Sequence, residues 1–429
     1  MDLEHLQYPP YAAWEVTGAC NHLCIHCYNY WRGGAPLCAG DAAEQMDAVA
    51  DFLLSRKPAD ITITGGEPLL AFARWKDYVP RFRRAGISVR VNCNASLITD
   101  EIAAFCAAHQ VRMMVSFPSA DREVFARVAG AQASYDRVTA GIACAMRHGI
   151  AVSPNIVVSR LNLHTVYDTC RKLRDHFGVE TVFISRVTRP INADDTFDEL
   201  MLSGEEMDEL FRLCLQVQQE LGLTVRSCGG FPYCAFASQQ SFDLLGKGCG
   251  AGTNGYVVDN RGDVRVCVRD DQVYGNIFRQ DFCDIWAAMA PWRRGDFLPE
   301  ECRECRVSSS CRGGCRISDK RSCGDYARLD RDARLDRLPV LWRRGGLSGG
   351  ADSAQTYRVR PFQTVMEGDV CRICAQVMCT YVPPEVEELL RRQGCISAPL
   401  LARELHTSEQ KARSLVQHLL YFRILEDES

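Results

Sequence analysis

The sequence predicts an α/β chain: a partial barrel of six β/α units, then a small cysteine-rich domain, then a C-terminal winged-helix-like domain. Three observations carry that expectation. Short apolar runs alternate with amphipathic stretches over residues 1–225, cysteines crowd into ligand-like spacings over 226–325, and an Arg/Asp-rich then Gly/Ser-rich linker, 326–355, precedes a strand-and-helix segment, 356–429.

In the first region Ala13–Thr17 reads as a strand. Ala42–Leu54 places Met46, Val49 and Leu53 at helical spacing, and Asp60–Thr64 is a strand by alternation and β-branching. The series continues with helix Phe72–Arg84, strand Ser88–Val91, helix Asp100–His109 and strand Arg112–Phe117. Helix Ser134–Arg147, strand Val152–Val158, helix Leu163–Phe177 and strand Thr181–Ile184 complete it. Strands alternating with helices imply a parallel sheet with right-handed crossovers. Six units make an open, TIM-like (β/α)6 barrel, whose site lies at the C-terminal ends of the strands. Ser203-Gly204-Glu205-Glu206 is a capping box, and the helix it starts carries Met207, Leu210, Cys214, Val217 and Leu221 on one face.

The 429 residues are 47% hydrophobic and 24% charged, with net charge −4. That is a globular composition with no bias toward nucleic acid or an anionic membrane. No apolar run is long enough to cross a bilayer, and the first residues, MDLEHLQYPPY, have neither the basic nor the apolar region of a secretory signal. Twenty-three cysteines is the outlying number. Disulfide-dense folds compensate for a missing core, and this chain has core to spare. The expectation is a reducing cytoplasm and several iron–sulfur clusters. Cys106, Cys144, Cys170 and Cys214 lie singly on apolar helical faces and read, with Cys38, as core.

The sharpest signal is Cys20-Asn21-His22-Leu23-Cys24-Ile25-His26-Cys27. Three thiols on one short loop suit three corners of an iron–sulfur cluster, whereas a structural zinc site wants a fourth protein ligand. Gly65-Gly66-Glu67-Pro68 follows the next strand, where paired glycines let the backbone approach a ligand closely. The loop resembles the CxxxCxxC motif of the radical S-adenosylmethionine (radical SAM) enzymes. The resemblance implies a 4Fe-4S cluster on Cys20, Cys24 and Cys27 whose open iron is chelated by SAM, with Gly65, Gly66 and Glu67 at the SAM ammonium group. Asn92-Cys93-Asn94-Ala95-Ser96-Leu97 resembles the family's Thr-Asn-Gly-Thr-Leu turn, with Cys93 and Ala95 replacing Thr and Gly, and brings in Asn94. Ser116 stands where the family often has a serine facing SAM. Arg127, ahead of Gly130, resembles the Arg-Gly segment that would suit the SAM carboxylate; its other reading is a solvated helix residue.

Downstream, Cys249, Gly262 and Cys267 precede Cys302-x2-Cys305-x5-Cys311-x3-Cys315 and then Cys323, with a hairpin turning at Arg261-Gly262-Asp263. A zinc ribbon is the plainer reading. The spacings resemble the SPASM domain of a subset of radical SAM enzymes. That resemblance implies two auxiliary iron–sulfur clusters. The outer one would be on Cys302, Cys305, Cys311 and Cys323. The inner one would be on Cys249, Cys267 and Cys315, with Cys234 or Cys228 as candidates for its fourth ligand. Asp270 and Asp271, just beyond Cys267, are candidates for a catalytic base.

In the last segment Tyr357–Met366 and Val370–Tyr381 read as two strands, followed by helices Glu385–Arg392, Ala398–Leu405 and Ser408–Phe422. The last helix carries no dense basic patch, which disfavours DNA. The order resembles PqqD-like peptide-recognition elements, which capture a leader peptide along a strand edge. Cys371, Cys374 and Cys379 lie in a predicted strand and read as structural. The resemblance implies an oxidoreductase that cleaves SAM to a 5′-deoxyadenosyl radical and oxidatively modifies a ribosomally made precursor peptide, fed by a flavodoxin- or ferredoxin-type electron donor. Alternatives are a sulfatase-maturase-like or small-metabolite enzyme, and an iron–sulfur redox regulator that binds DNA.

Overall fold

The computed structural model describes residues 9–29, 43–130, 133–191, 193, 195–246, 248–305, 308–318, 320, 326–335, 356–367, 370–375, 378–409, 412, 413, 415, 416, 419 and 424–427. Cys38, Cys323, the 336–355 part of the linker and parts of the 408–422 helix lie outside them.

The first region follows the expected alternation: β1 (Tyr11–Thr17), α1 (Ala43–Arg56), β2 (Asp60–Gly65), α2 (Val79–Arg84), β3 (Ser88–Cys93), α3 (Asp100–Ala108), β4 (Arg112–Ser116), α4 (Arg122–Ala129), α5 (Tyr135–Arg147), β5 (Val152–Val158), α6 (Val166–Phe177), β6 (Thr181–Arg186), α7 (Gly204–Leu221) and β7 (Thr224–Arg226). Two details differ. The helix expected over 72–84 is interrupted by a 3₁₀ turn at Lys76–Tyr78, because Pro80 has no amide hydrogen to return to the Lys76 carbonyl. Helix α4 is additional, started by Asp121, whose carboxylate accepts the Glu123 and Val124 amides.

Strands β8 (Gly255–Asp259), β9 (Asp263–Arg265) and β10 (Gly275–Asn276) follow. One ten-stranded sheet has the order β10-β9-β8-β1-β2-β3-β4-β5-β6-β7. Strands β1 to β7 are mutually parallel, and β8 joins β1, also in parallel. The chain then reverses at Gly262 (φ 81°) into antiparallel β9, as the Arg-Gly-Asp turn predicts. The sheet edges are β10 and β7, so the barrel is open.

Trp14 joins these parts. Its ring packs on Tyr78 and Phe82 at 5.5 and 6.3 Å between centroids. Its indole N–H donates to Asn260 Oδ1 at 2.8 Å, and the Asn260 amide donates to the Val16 carbonyl at 2.8 Å. Residues on both sides of position 225 thus share one sheet and one apolar cluster that runs from Ala12 to Tyr326.

The C-terminal segment has its own core, around Tyr357, Ile373, Val386, Leu390, Leu401 and Leu415. It contains β11 (Thr356–Val359), β12 (Gln363–Glu367), β13 (Val370–Ala375), β14 (Met378–Val382), α8 (Pro384–Arg392), β15 (Cys395–Ser397), α9 (Ala398–Glu404) and β16 (Leu425–Asp427). The two expected strands are four. Val370–Tyr381 is a hairpin that sets Cys374 opposite Cys379; the reversal is hidden because Ala-Gln-Val-Met holds no Gly, Pro, Asn or Asp. The strands form two sheets, β15-β11-β16 and β12-β13-β14. No described helix is long and apolar enough to cross a membrane.

Gly141 on α5 meets the turn after β3, where an added Cβ would lie 2.0 Å from the Ala95 carbonyl oxygen. Gly141→Ala is therefore expected to cost about 1–3 kcal/mol, read from the denaturant midpoint, while Gly394→Ala, with nothing within 4 Å, leaves the midpoint unchanged.

Candidate functional site

Beyond Thr17 the chain enters the cysteine loop, which is held mainly by backbone. The Leu23 and Ile25 amides donate to the Ala129 and Val128 carbonyls at the end of α4 (3.2 and 3.0 Å). The Gly66 and Glu67 amides donate to the Thr17 and Ala19 carbonyls (2.7 and 2.8 Å). This approach leaves no space for side chains. A Cβ on Gly65 would lie 2.2 Å from the Thr17 oxygen, and one on Gly66 2.1 Å from that of Ala19. Within the loop the His22 amide donates to Cys20 Sγ at 3.4 Å, and Cys20, Cys24 and Cys27 are half-buried.

Glu67 is 1% exposed. Its Oε1 accepts the Leu69 amide (3.0 Å) and its Oε2 the Asn94 amide (2.7 Å). Burial pushes its carboxyl up to about 7, against the pull of those two amides. The Asn94 side chain donates to Asn21 Oδ1 at 2.7 Å, and Asn21 donates to Ser96 Oγ at 2.9 Å. Glu67 and Asn94 thereby fasten the loops after β1, β2 and β3 to one another. Buried and holding an amide on each oxygen, the Glu67 carboxylate is committed to joining these loops. Asn29, which the sequence did not single out, donates to the Gly65 carbonyl at 3.3 Å, while its buried Oδ1 has no hydrogen-bond partner.

Ser116 closes β4 and is exposed. Its register partner is Asn155, which accepts from the Ser185 hydroxyl at 2.9 Å, so β4, β5 and β6 set polar groups side by side. Arg127 is exposed in the last turn of α4. That helix reaches the cysteine loop through the carbonyls of Val128 and Ala129.

Cys249, Cys267 and Cys315 come together. Burial raises the Cys249 thiol, and the neighbouring Cys315 adds to it. Burial likewise takes Cys267 to about 12, with Cys249 and Cys315 contributing. The Cys315 amide donates to Asp330 Oδ2 at 2.8 Å. Asp330 is paired at 2.5 Å with Arg186, at the end of β6, both fully buried, and Arg186 also binds Asp332. Arg269, two residues beyond Cys267, lies 5.8 Å from the ring centroid of Tyr28 and donates to the Thr188 hydroxyl. Tyr28 follows Cys27, so one cation stands between the loop and this second thiol group.

Cys302, Cys305 and Cys311 form a third group, with burial raising Cys302 to about 11 and Cys311 to about 12. Cys234 belongs with them. It was expected beside Cys249, but the turn Tyr233–Ala235 docks on Cys311, and the Tyr233 amide donates to Cys311 Sγ at 3.3 Å. Sequence order alone does not say against which thiols a distant turn packs. Cys323 lies outside the described residues.

Asp270 departs from its expected role as a base. It is fully buried, its Oδ1 accepts from Lys320 Nζ at 2.6 Å, and the Tyr326 hydroxyl donates to its Oδ2 at 2.9 Å. Asp271 binds the same lysine at 2.5 Å. Both carboxylates are tied to one buried cation and join the Cys267 loop to the segment beyond Cys315. A different carboxylate lies nearer the cysteine loop. Glu15 on β1 is buried, paired through Oε2 with Arg265 on β9, and its Oε1 has no hydrogen-bond partner. Burial pushes it up to about 7, with the Arg265 charge pulling down.

Among the described residues, the group of three ligand-type side chains whose ligand atoms lie within 4.8 Å of one another is Asp100, Cys144 and His148, on the outer helices. There Asp100 accepts from both neighbours, at 3.4 Å from Cys144 and 3.0 Å from His148. The donor set on the Cys20–Cys27 loop is three half-buried thiols, which suits an iron–sulfur cluster with one iron open, whereas a structural zinc site wants a fourth protein ligand.

Glu67→Gln would set an amide N–H2 against a buried backbone N–H. The expected cost is about 1–3 kcal/mol, with less iron taken up by the Cys20–Cys27 loop on reconstitution; Leu70→Ala, at a site 48% exposed, leaves both unchanged. Glu15 and Glu67 rise from an ordinary 4.5 to about 7 on folding. Their contribution to stability is present below pH 4.5 and is lost as pH rises through 7. Glu15→Gln is expected to flatten that slope in unfolding curves.

Comparison with known families places this geometry. Residues 14–173 match the radical SAM superfamily, and residues 249–311 match SPASM, an iron–sulfur cluster-binding domain. An AdoMet-dependent heme synthase of Methanosarcina barkeri is 26% identical over 339 residues, covering 74% of this chain and 94% of that protein. The mycofactocin maturase MftC of Mycolicibacterium smegmatis is 27% identical over 320 residues, covering 72% and 79%. The crystal structure of Streptococcus suis SuiB bound to its precursor peptide SuiA superposes with a TM-score of 0.60 at 15% identity, covering 76% of each chain, and shares the fold. Both domains imply iron–sulfur clusters, and the first implies SAM. The chain carries a radical SAM domain, of a superfamily of enzymes, with a SPASM domain behind it.

Proposed function

We propose that this enzyme oxidatively modifies a ribosomally made peptide, forming a crosslink or oxidising a side chain. The observation that carries the reading is the combination of a radical SAM and SPASM body with a C-terminal module that has its own core and a three-stranded antiparallel sheet. Peptides add to such sheets along an open edge strand, and β12 and β14 are the edges here. The relatives named maturase, and the likeness to a structure holding a precursor peptide, support it.

In this reading residues 1–225 are the radical SAM core, 226–325 the SPASM domain, 326–355 a linker whose first residues, with Tyr326, Asp330 and Asp332 buried, pack against the body, and 356–429 the peptide-recognition element. Cys20, Cys24 and Cys27 would hold the first 4Fe-4S cluster, which with SAM would supply one-electron radical chemistry. Gly65 and Gly66 keep the backbone close enough to present carbonyls to the SAM ammonium, and Asn29 Oδ1 is a further acceptor beside them. The barrel would enclose the reacting groups away from water. Cys249, Cys267 and Cys315 would hold an inner auxiliary cluster and the Cys302 group an outer one, which would supply electron-accepting capacity. A flavodoxin- or ferredoxin-type protein donates the first electron.

The heme synthase relative, matched over 94% of its length, favours a second reading, oxidation of a small substrate. Two measurements separate them. Anaerobically reconstituted enzyme is expected to hold about 12 iron per chain, falling to about 8 in the Cys20/Cys24/Cys27→Ala variant with 5′-deoxyadenosine formation lost. A peptide encoded beside the enzyme is expected to bind the full chain and lose affinity at least tenfold on removal of 356–429; unchanged SAM turnover with no peptide binding would favour the small substrate.

A further inference from the structure

We infer that Cys234 is a ligand of the outer auxiliary cluster, so that this cluster takes one thiolate from ahead of the cysteine-rich hairpin. The inference rests on the auxiliary-cluster reading above and adds to it a residue that the spacing pattern assigns elsewhere or not at all.

Four observations place Cys234 there. It is buried in the 3₁₀ turn Tyr233–Ala235. The amide one residue before it donates to Cys311 Sγ at 3.3 Å; backbone N–H groups aimed at ligand sulfurs are among the levers that set a cluster's potential. Tyr233 and Cys311 share a small apolar cluster with Phe242 and Cys305, separate from the main core, so the turn is packed onto the thiols themselves. Finally, the Cys305 amide donates to the Cys302 carbonyl at 3.2 Å, so one turn carries Cys302 together with Cys305, which packs in that same apolar cluster. Four sulfurs from two stretches of chain about 70 residues apart in sequence complete the ligand count of a 4Fe-4S cluster.

The inner group is held from another side: the Cys315 amide donates to Asp330, which pairs with Arg186 at the end of β6. With Cys234 on the outer cluster, the inner one would keep three protein thiolates, Cys249, Cys267 and Cys315.

The test compares wild type, Cys234→Ala, Cys234→Ser and Cys323→Ala after anaerobic reconstitution of the full chain. Iron and sulfide are counted, and EPR spectra of the reduced proteins are recorded with and without SAM. Cys234→Ala is expected to lose about four of about 12 iron per chain together with one EPR component, and to keep the SAM-dependent shift of the first cluster, which reports a folded barrel. Cys234→Ser is expected to retain iron, through an oxygen ligand, with altered g-values. Cys234→Ala with full iron and an unaltered spectrum, or loss of the outer cluster from Cys323→Ala alone, overturns the assignment. An unaltered Cys234→Ser spectrum overturns it too. A wild type holding only about four iron would instead overturn the auxiliary-cluster reading as a whole.

Discussion

The carboxylate of Glu67 is the constraint on which the rest of the site depends. It accepts backbone amides from two different strand-end loops. Through Asn94 and Asn21 the constraint passes to the cysteine loop. A side chain that spans two main-chain donors fixes geometry more tightly than a pair of surface side chains, because neither amide has rotamers to lose. Two glycines complete the clamp, since any Cβ there would occupy the space of the Thr17 and Ala19 carbonyls. The cysteines are thus presented on a scaffold they do little to build.

Buried ion pairs extend the same logic into the cysteine-rich region. Glu15 with Arg265 joins β1 to β9, Arg186 with Asp330 joins β6 to Cys315, and Lys320 gathers Asp270 and Asp271. Such pairs add little net stability over apolar replacements, yet breaking one strands a charge. Their effect here is registration: each sets a thiol-bearing loop against one particular strand end. The pair at Lys320 also explains why a carboxylate next to Cys267 is a structural tie and not a free base.

Much of this was legible in the sequence. Alternation of apolar runs located the six strands to within a residue or two, and Gly262 marked the β8–β9 turn. The family resemblance carried by the cysteine pattern implied the grouping of Cys249, Cys267 and Cys315 apart from Cys302, Cys305 and Cys311. What could not be read depends on contacts across long stretches of chain. Cys234 is an ordinary buried cysteine until its turn is seen docked on Cys311. Glu15 looks like a strand residue until Arg265 arrives from 250 positions away. The β13–β14 reversal passes unseen because its residues are ones that strands also use.

The placement of β8 has a consequence for how the chain is made. Strand β1 is first to leave the ribosome, yet one of its two neighbours begins at Gly255. Until then an apolar strand holding Trp14 and Val16 has one edge unsatisfied, and its indole lacks Asn260. A nascent chain that has reached β7 therefore carries seven of the eight parallel strands and still exposes a sticky edge in the middle of the finished sheet. Synthesis of β8 is what caps it, so the stretch between Cys249 and Cys267 also completes the pairing of the barrel's first strand.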